Sequence, residues 1–147
     1  MKLEGKYYSS NGRWCAKIDL LDVIELSSKD LEDLFIKLNN RLMLMFNKNS
    51  KEKFNDNDFI IEIVDEVRFY IKFKNFKLAT SSIFKSIRNK ERFSQAKIAD
   101  KLNCATSSYS QYEDAKREPS ISTFNKVVEG LGYEWELVLK KRKMHKI

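Results

Sequence analysis

Four short polar side chains, Ser107, Ser110, Gln111 and Asp114, stand at i, i+3, i+4 and i+7 within FSQAKIADKLNCATSSYSQYEDAKREPS, residues 93–120. On a helix over 106–114 this spacing gathers them on one face, with Tyr109 and Tyr112 turned the other way. Glu and Lys would make such a face more soluble. Hydroxyls and an amide suit the hydrogen-bonding of flat polar edges instead. A glutamine amide pairs bidentately with adenine, and a serine hydroxyl donates or accepts at any base edge. Thr106 opens the same helix. Gln95, at the start of the preceding helix, is placed to meet a phosphate. Lys116 and Arg117, just past the second helix, can grip a sugar–phosphate backbone. Asp114 repels phosphate unless it accepts from a cytosine amine. The competing reading is a solvated face on a purely structural helix.

The elements that must hold this face follow from periodicity. Ile98 and Leu102 are four apart and share a face, while Tyr109 and Tyr112, three apart, share another. Ala99 is small where two helices cross closely. Asn103 lies between the two periodic runs, where a sharp turn calls for a left-handed residue. Ser94 is placed to cap the first helix, and Ala105 or Thr106 begins the second. Ser81 or Ser82 is expected to cap a leading helix with Ile83, Phe84 and Ile87 inward. Pro119-Ser120 opens a later helix striped by Ile121, Phe124, Val127, Val128 and Leu131, with Gly130 and Gly132 at its end. This is the pattern of a helix-turn-helix.

The residues that carry the pattern are Ser94-Gln95, Ile98-Ala99, Leu102-Asn103, Tyr109-Ser110, Glu113, Arg117 and Pro119-Ser120, then a helix ending in Leu131-Gly132. Together they resemble the Cro/repressor-type, or Xre-type, helix-turn-helix domain over about residues 82–132. Two positions depart from that family: Asn103 and Ala115 stand where Gly is usual. The resemblance implies double-stranded DNA as a partner, in the form of an operator with an inverted repeat. Two half-sites one DNA turn apart imply a homodimer or higher oligomer.

After Gly132, Tyr133, Trp135, Leu137 and Leu139 alternate with Glu134, Glu136, Val138 and Lys140, which predicts a strand with one aromatic–aliphatic face. A lone strand either joins the N-terminal sheet or pairs with its own copy in a dimer. The dimer is the preferred reading, and it makes Tyr133, Trp135, Leu137 and Leu139 dimerisation residues. The terminal KKRKMHK contacts phosphates or is a solvated tail. His145, the single histidine, lies in this tail without converging partners, so no catalytic or metal role is expected of it.

Residues 1–78 read as strands, one helix, then strands. Asn11-Gly12 is a hairpin turn signal joining LEGKYYSS to RWCAKIDL, and DVIEL supplies a third strand. Ser27-Ser28-Lys29-Asp30 has capping-box spacing, and the helix after it is striped by Leu31, Leu34, Phe35, Leu38, Leu42 and Met45. FIIEIV and VRFYIKF form a second hairpin around Asp65-Glu66. The order β-β-β-α-β-β predicts an α+β sheet with one helix on a face, followed by an all-α domain at 79–147 with an appended strand.

The Trp14 and Ala16 strand, Asp19-Leu20 and the leucine-striped helix introduced by Ser-Lys-Asp-Leu-Glu resemble the antitoxin family HicB over roughly residues 5–73. That resemblance implies a degenerate ribonuclease-H-like fold that masks a small ribonuclease toxin, HicA. The second domain then autoregulates the operon of a type II toxin–antitoxin module. The alternative is a phage or host repressor whose N-terminal domain oligomerises or senses a ligand.

Catalysis is not expected. Asp19, Asp22, Glu25, Glu62 and Asp65 lie near strand ends, but a metal-dependent nuclease needs carboxylates converging on paired ions, and no spacing here compels that. No phosphate loop, dinucleotide loop or nucleophile–histidine arrangement occurs, so neither cofactor nor metal is expected. With 147 residues, 42% of them hydrophobic, the chain can bury one or two cores. It has no apolar run near the roughly 18 residues of a membrane span, and since MKLEGKYYSS has no apolar core, a secretory leader is not expected. Cys15 and Cys104 lack metal spacing, and two free thiols fit a cytoplasmic protein. The charge of +7 is uneven. Residues 1–78 carry 14 Lys+Arg against 13 Asp+Glu, and residues 79–147 carry 14 against 8. The second half is the part that attracts a polyanion.

Overall fold

Five antiparallel strands form one sheet in the order β3-β2-β1-β5-β4. The structure is a computed structural model that describes residues 1–21, 24–48 and 53–142. The elements are β1 (Lys2–Ser10), β2 (Arg13–Ile18), β3 (Ile24–Ser28), α1 (Leu31–Asn47), β4 (Phe59–Ile63), β5 (Arg68–Phe73), α2 (Phe76–Lys90), α3 (Gln95–Lys101), α4 (Thr106–Glu113) and α5 (Ile121–Gly130). Asp22 and Val23, expected at the head of the third strand, lie outside the described residues, as do His145 and the rest of the tail from 143 onward.

The first hairpin closes because Asn11 and Gly12 both take positive φ, 51° and 72°, as a two-residue turn between twisted strands requires. Ser10 then faces Arg13 across the ladder. Helix α1 packs its stripe on the sheet, with Leu34, Leu38, Leu42 and Phe46 buried. The Phe35 ring meets Tyr7 edge-on at 5.4 Å and Phe69 at 5.5 Å. Gly5 stands opposite Phe69, and a Cβ there would come within 2.1 Å of the Phe69 ring, so only glycine lets that ring cover β1. The cap of α1 is Asp30, which accepts from the Glu32 N–H, rather than a box begun at Ser27. Ser28 supports it by donating to Asp33 at 2.6 Å and accepting from the Asp30 N–H.

The leading helix of the second lobe begins earlier than Ser81 or Ser82. Asn75 caps α2 by accepting from the Leu78 N–H, and the Asp58 carbonyl accepts from both Lys74 and Asn75 N–H groups. The two serines sit buried inside the helix. The cause is tertiary: Leu78 and Ala79 belong to the sheet core, so the chain turns helical as soon as β5 ends. The division placed at 78/79 therefore falls within α2. Farther along, Ile83, Phe84 and Ile87 enter a second core with Ile98, Ala99, Tyr109, Phe124, Val127 and Leu131. One helix thus threads both cores.

The expected strand at 133–139 is a correction. Residues 133–142 have no regular secondary structure within the chain; Tyr133 and Trp135 are held by side-chain contacts to Glu91, Phe124 and Asn125 instead. No helix among the described residues is long and apolar enough to cross a membrane.

Candidate nucleic-acid interface

Helix α3 starts at the Ser94 cap, whose hydroxyl accepts from the Lys97 N–H at 3.1 Å. It ends in a turn carried by Asn103 at φ 53°, the left-handed conformation that Asn tolerates. The Cys104 N–H bonds back to the Ala99 carbonyl, and α4 follows from an extended Ala105 with no side-chain cap. On the inward side of α4, the Tyr109 ring is fully buried and stacks on Phe84 at 6.4 Å, while Tyr112 meets Phe84 edge-on. Burial raises the Tyr109 phenol above its ordinary range, with the nearby Glu113 charge adding to the shift.

The third inward residue of α4 is an acid. Glu113 is 1% exposed and accepts from the Arg88 Nε at 2.8 and 3.1 Å. Gln95 donates its amide to the same carboxylate. Arg88 also donates to the Phe93 carbonyl at 2.8 Å, and the Ser81 hydroxyl donates to the Glu113 carbonyl. A polar knot thus joins α2, α3 and α4. A buried charge is tolerable only with such partners. The position was legible in part: Glu113 falls on the inward stripe of Tyr109 and Tyr112, where an acid must have a mate. Arg88 lies 25 residues earlier, and no local spacing points to it.

Gln95 has a structural part beside the one expected of it. Its side chain is half-buried and donates to Glu113, so it braces α4 from the start of α3. The other expected residues do share one outer surface. Thr106, Ser107 and Gln111 are exposed. Ser110 is half-buried and donates to the Ser107 carbonyl at 3.0 Å, which leaves its oxygen as an acceptor. Lys116 and Arg117 are exposed just past the helix, and their N–H groups both bond to the Gln111 carbonyl. Ala115 makes that tight reversal at φ 56°. The Arg117 guanidinium lies 5.6 Å from the Tyr112 ring centroid, which fixes a cation at the helix exit. The result is a rigid row of small donors and acceptors ending in two cations, the arrangement that base-edge contact with phosphate anchoring requires.

The four residues assigned to dimerisation divide into two pairs. Trp135 packs edge-on against Phe124 at 5.3 Å and donates to Asn125 at 2.7 Å. Tyr133 donates to Glu91 at 2.9 Å. Leu137 and Leu139 are 69% and 88% exposed. The acids weighed for catalysis stay apart in local roles. Asp19 pairs with Lys17, Glu62 with Lys72, Asp65 caps its own hairpin turn, Glu25 is exposed, and Asp22 is outside the described residues. No group of three or more His, Cys, Asp or Glu able to hold a metal ion occurs among the described residues. Cys15 and Cys104 are free and half-buried.

No curated protein matches the chain. Residues 84–138 match the helix-turn-helix family model, which supports an Xre-type helix-turn-helix in this part of the chain and suggests a DNA-binding transcriptional regulator.

Proposed function

We propose that the protein is a dimeric, cytoplasmic repressor that reads an inverted repeat with α4 and serves as the antitoxin of a type II module. In this reading the sheet lobe binds and neutralises a small ribonuclease toxin and carries no catalysis of its own. The carrying observation is the division of α4. Tyr109, Tyr112 and Glu113 are turned inward, with Glu113 locked by Arg88, and Thr106, Ser107 and Gln111 are left outward beside the exposed cations Lys116 and Arg117. The antitoxin part is supported by the order β-β-β-α-β-β running directly into a helix-turn-helix, the arrangement of HicB-like chains with an Xre-type domain.

The DNA reading is tested with the promoter DNA of the gene itself. Gln111→Ala is expected to weaken specific binding by about 1–3 kcal/mol, with thermal stability nearly unchanged. Undiminished affinity in the Ser107→Ala/Gln111→Ala double variant would show that another surface reads the operator. The antitoxin reading is tested by co-expression with the neighbouring gene product. Recovery of growth and co-purification support it. A neighbour that neither binds nor harms the cell removes the toxin and leaves a plain repressor.

A further inference from the structure

Strand β4 is the last in the sheet and, among the described residues, pairs only with β5. Val64 donates to the Arg68 carbonyl, and Lys74 donates to the Asp58 carbonyl. Because an antiparallel ladder alternates, these two bonds place the backbone groups of Phe59, Ile61 and Ile63 on the open edge. Beside that edge lies a groove of about 890 Å³ between β4 and α1, floored by Phe35, Ile36, Ile61 and Ile63. Ile36 and Ile63 are 54% and 53% exposed. Asp30, Glu32 and Asp56 rim the groove, and no Lys or Arg lines it among the described residues. An open apolar edge is an aggregation liability unless something covers it.

The same chain holds a segment with the complementary chemistry. Leu137-Val138-Leu139 is exposed, lacks secondary structure, and runs straight into Lys140, Lys141 and Arg142. Its start is tied down, since Trp135 is fixed to α5. In an extended strand Leu137 and Leu139 share a face. Six residues at about 3.3 Å each reach roughly 20 Å, enough to run the length of a five-residue strand.

We propose that residues 137–142 of one copy add as a strand to the open edge of β4 in a second copy. Leu137 and Leu139 fill the groove against α1, and the cations that follow them meet its acidic rim. The exchange is reciprocal, so it closes a two-fold dimer. This surface is separate from the reading face of α4 and stands whether or not a toxin exists.

The test uses the full-length protein and two single-cysteine variants made in a background with Cys15 and Cys104 replaced by serine. Tagged Ile63→Cys and untagged Leu139→Cys are mixed and oxidised. A cross-link between the two copies is expected. A disulfide between two copies of the Leu139→Cys variant as the dominant product, or a cross-link within one chain of the Ile63→Cys/Leu139→Cys double variant, would overturn the exchange. Independently, Ile36→Asp is expected to raise the dimer dissociation constant at least about tenfold, as follows when two leucine side chains lose their burial. The far-ultraviolet spectrum should stay unchanged. Reversing the rim with Glu32→Lys and Asp56→Lys should weaken the dimer, and Lys140→Glu with Lys141→Glu on the partner copy should restore it. Dimerisation indifferent to all these changes would mean that β4 is not the interface.

Discussion

Helices α1 and α4 each bury one side, and they do so with opposite chemistry. Helix α1 has 17 residues and lays Leu34, Leu38, Leu42 and Phe46 on the sheet, burying no charge. Helix α4 has eight residues and buries Tyr109, Tyr112 and Glu113. A long apolar stripe holds a helix by area, which is non-directional. A helix of eight residues has too few bonds to stand alone, and area by itself leaves its rotation loosely set. The charge-assisted contact from the Arg88 Nε to both Glu113 oxygens, with the amide of Gln95 beside it, sets that rotation, since such hydrogen bonds are short and directional. The scaffold helix is thus fixed by burial, and the reading helix by bonds with direction.

The largest effect should come from breaking the knot. Glu113→Ala leaves the part-buried Arg88 without its charge partner and Gln95 without its acceptor, and is expected to cost about 3–5 kcal/mol. Urea unfolding followed by circular dichroism measures this. A cost no greater than that of an exposed substitution would mean that the apolar contacts alone place α4. Leu38→Ala in the scaffold is expected to cost about 2–5 kcal/mol through the cavity it leaves. The two changes overlap in size but should part in consequence. The folded fraction of Leu38→Ala should bind operator DNA with native affinity. Glu113→Gln, nearly native in shape, should lose affinity because the amide cannot replace the charge that orients Arg88. Equal operator affinity for Leu38→Ala and Glu113→Gln would erase the distinction drawn between the helices.

The same contrast explains what could be read from the chain alone. The stripe of α1, the Asn11-Gly12 turn and the left-handed Asn103 are local signals, and each stands where its spacing put it. The features that escaped depend on distant partners. Helix α2 begins at Phe76 because Leu78 and Ala79 are wanted by the sheet core, whereas Ser81 and Ser82 look like caps to any local reading. The bond from Gln95 to Glu113, 18 residues on, has no local signal either. Tyr133 and Trp135 alternate like a strand, but Glu91, Phe124 and Asn125 claim them first. Ala115 is the subtlest case. A left-handed alanine costs roughly 1–2 kcal/mol, yet at 1% exposure it packs on the sheet core. A methyl group there is retained despite the backbone it must adopt.

The smallest effect should appear in acid, and it belongs to the sheet lobe. Asp65 is held below the ordinary carboxylate range by the Val67 N–H and then by the Arg68 guanidinium, 2.7 Å away. Asp33 is lowered by the Ser28 hydroxyl and then by Lys37. A carboxylate whose folded pKa is depressed adds stability at every pH above its unfolded value. That contribution fades as pH falls through the folded value. The unfolded state then binds more protons than the native one across this window, so stability drops as acid is added. Asp65→Asn keeps an oxygen for the Val67 and Arg68 N–H groups but loses the charge facing the guanidinium. The variant should therefore melt below the native protein at pH 7, and the two melting temperatures should draw together toward pH 2. Parallel curves across that range would show that the β4–β5 turn is held by its backbone bonds alone, with no part for the Arg68 side chain.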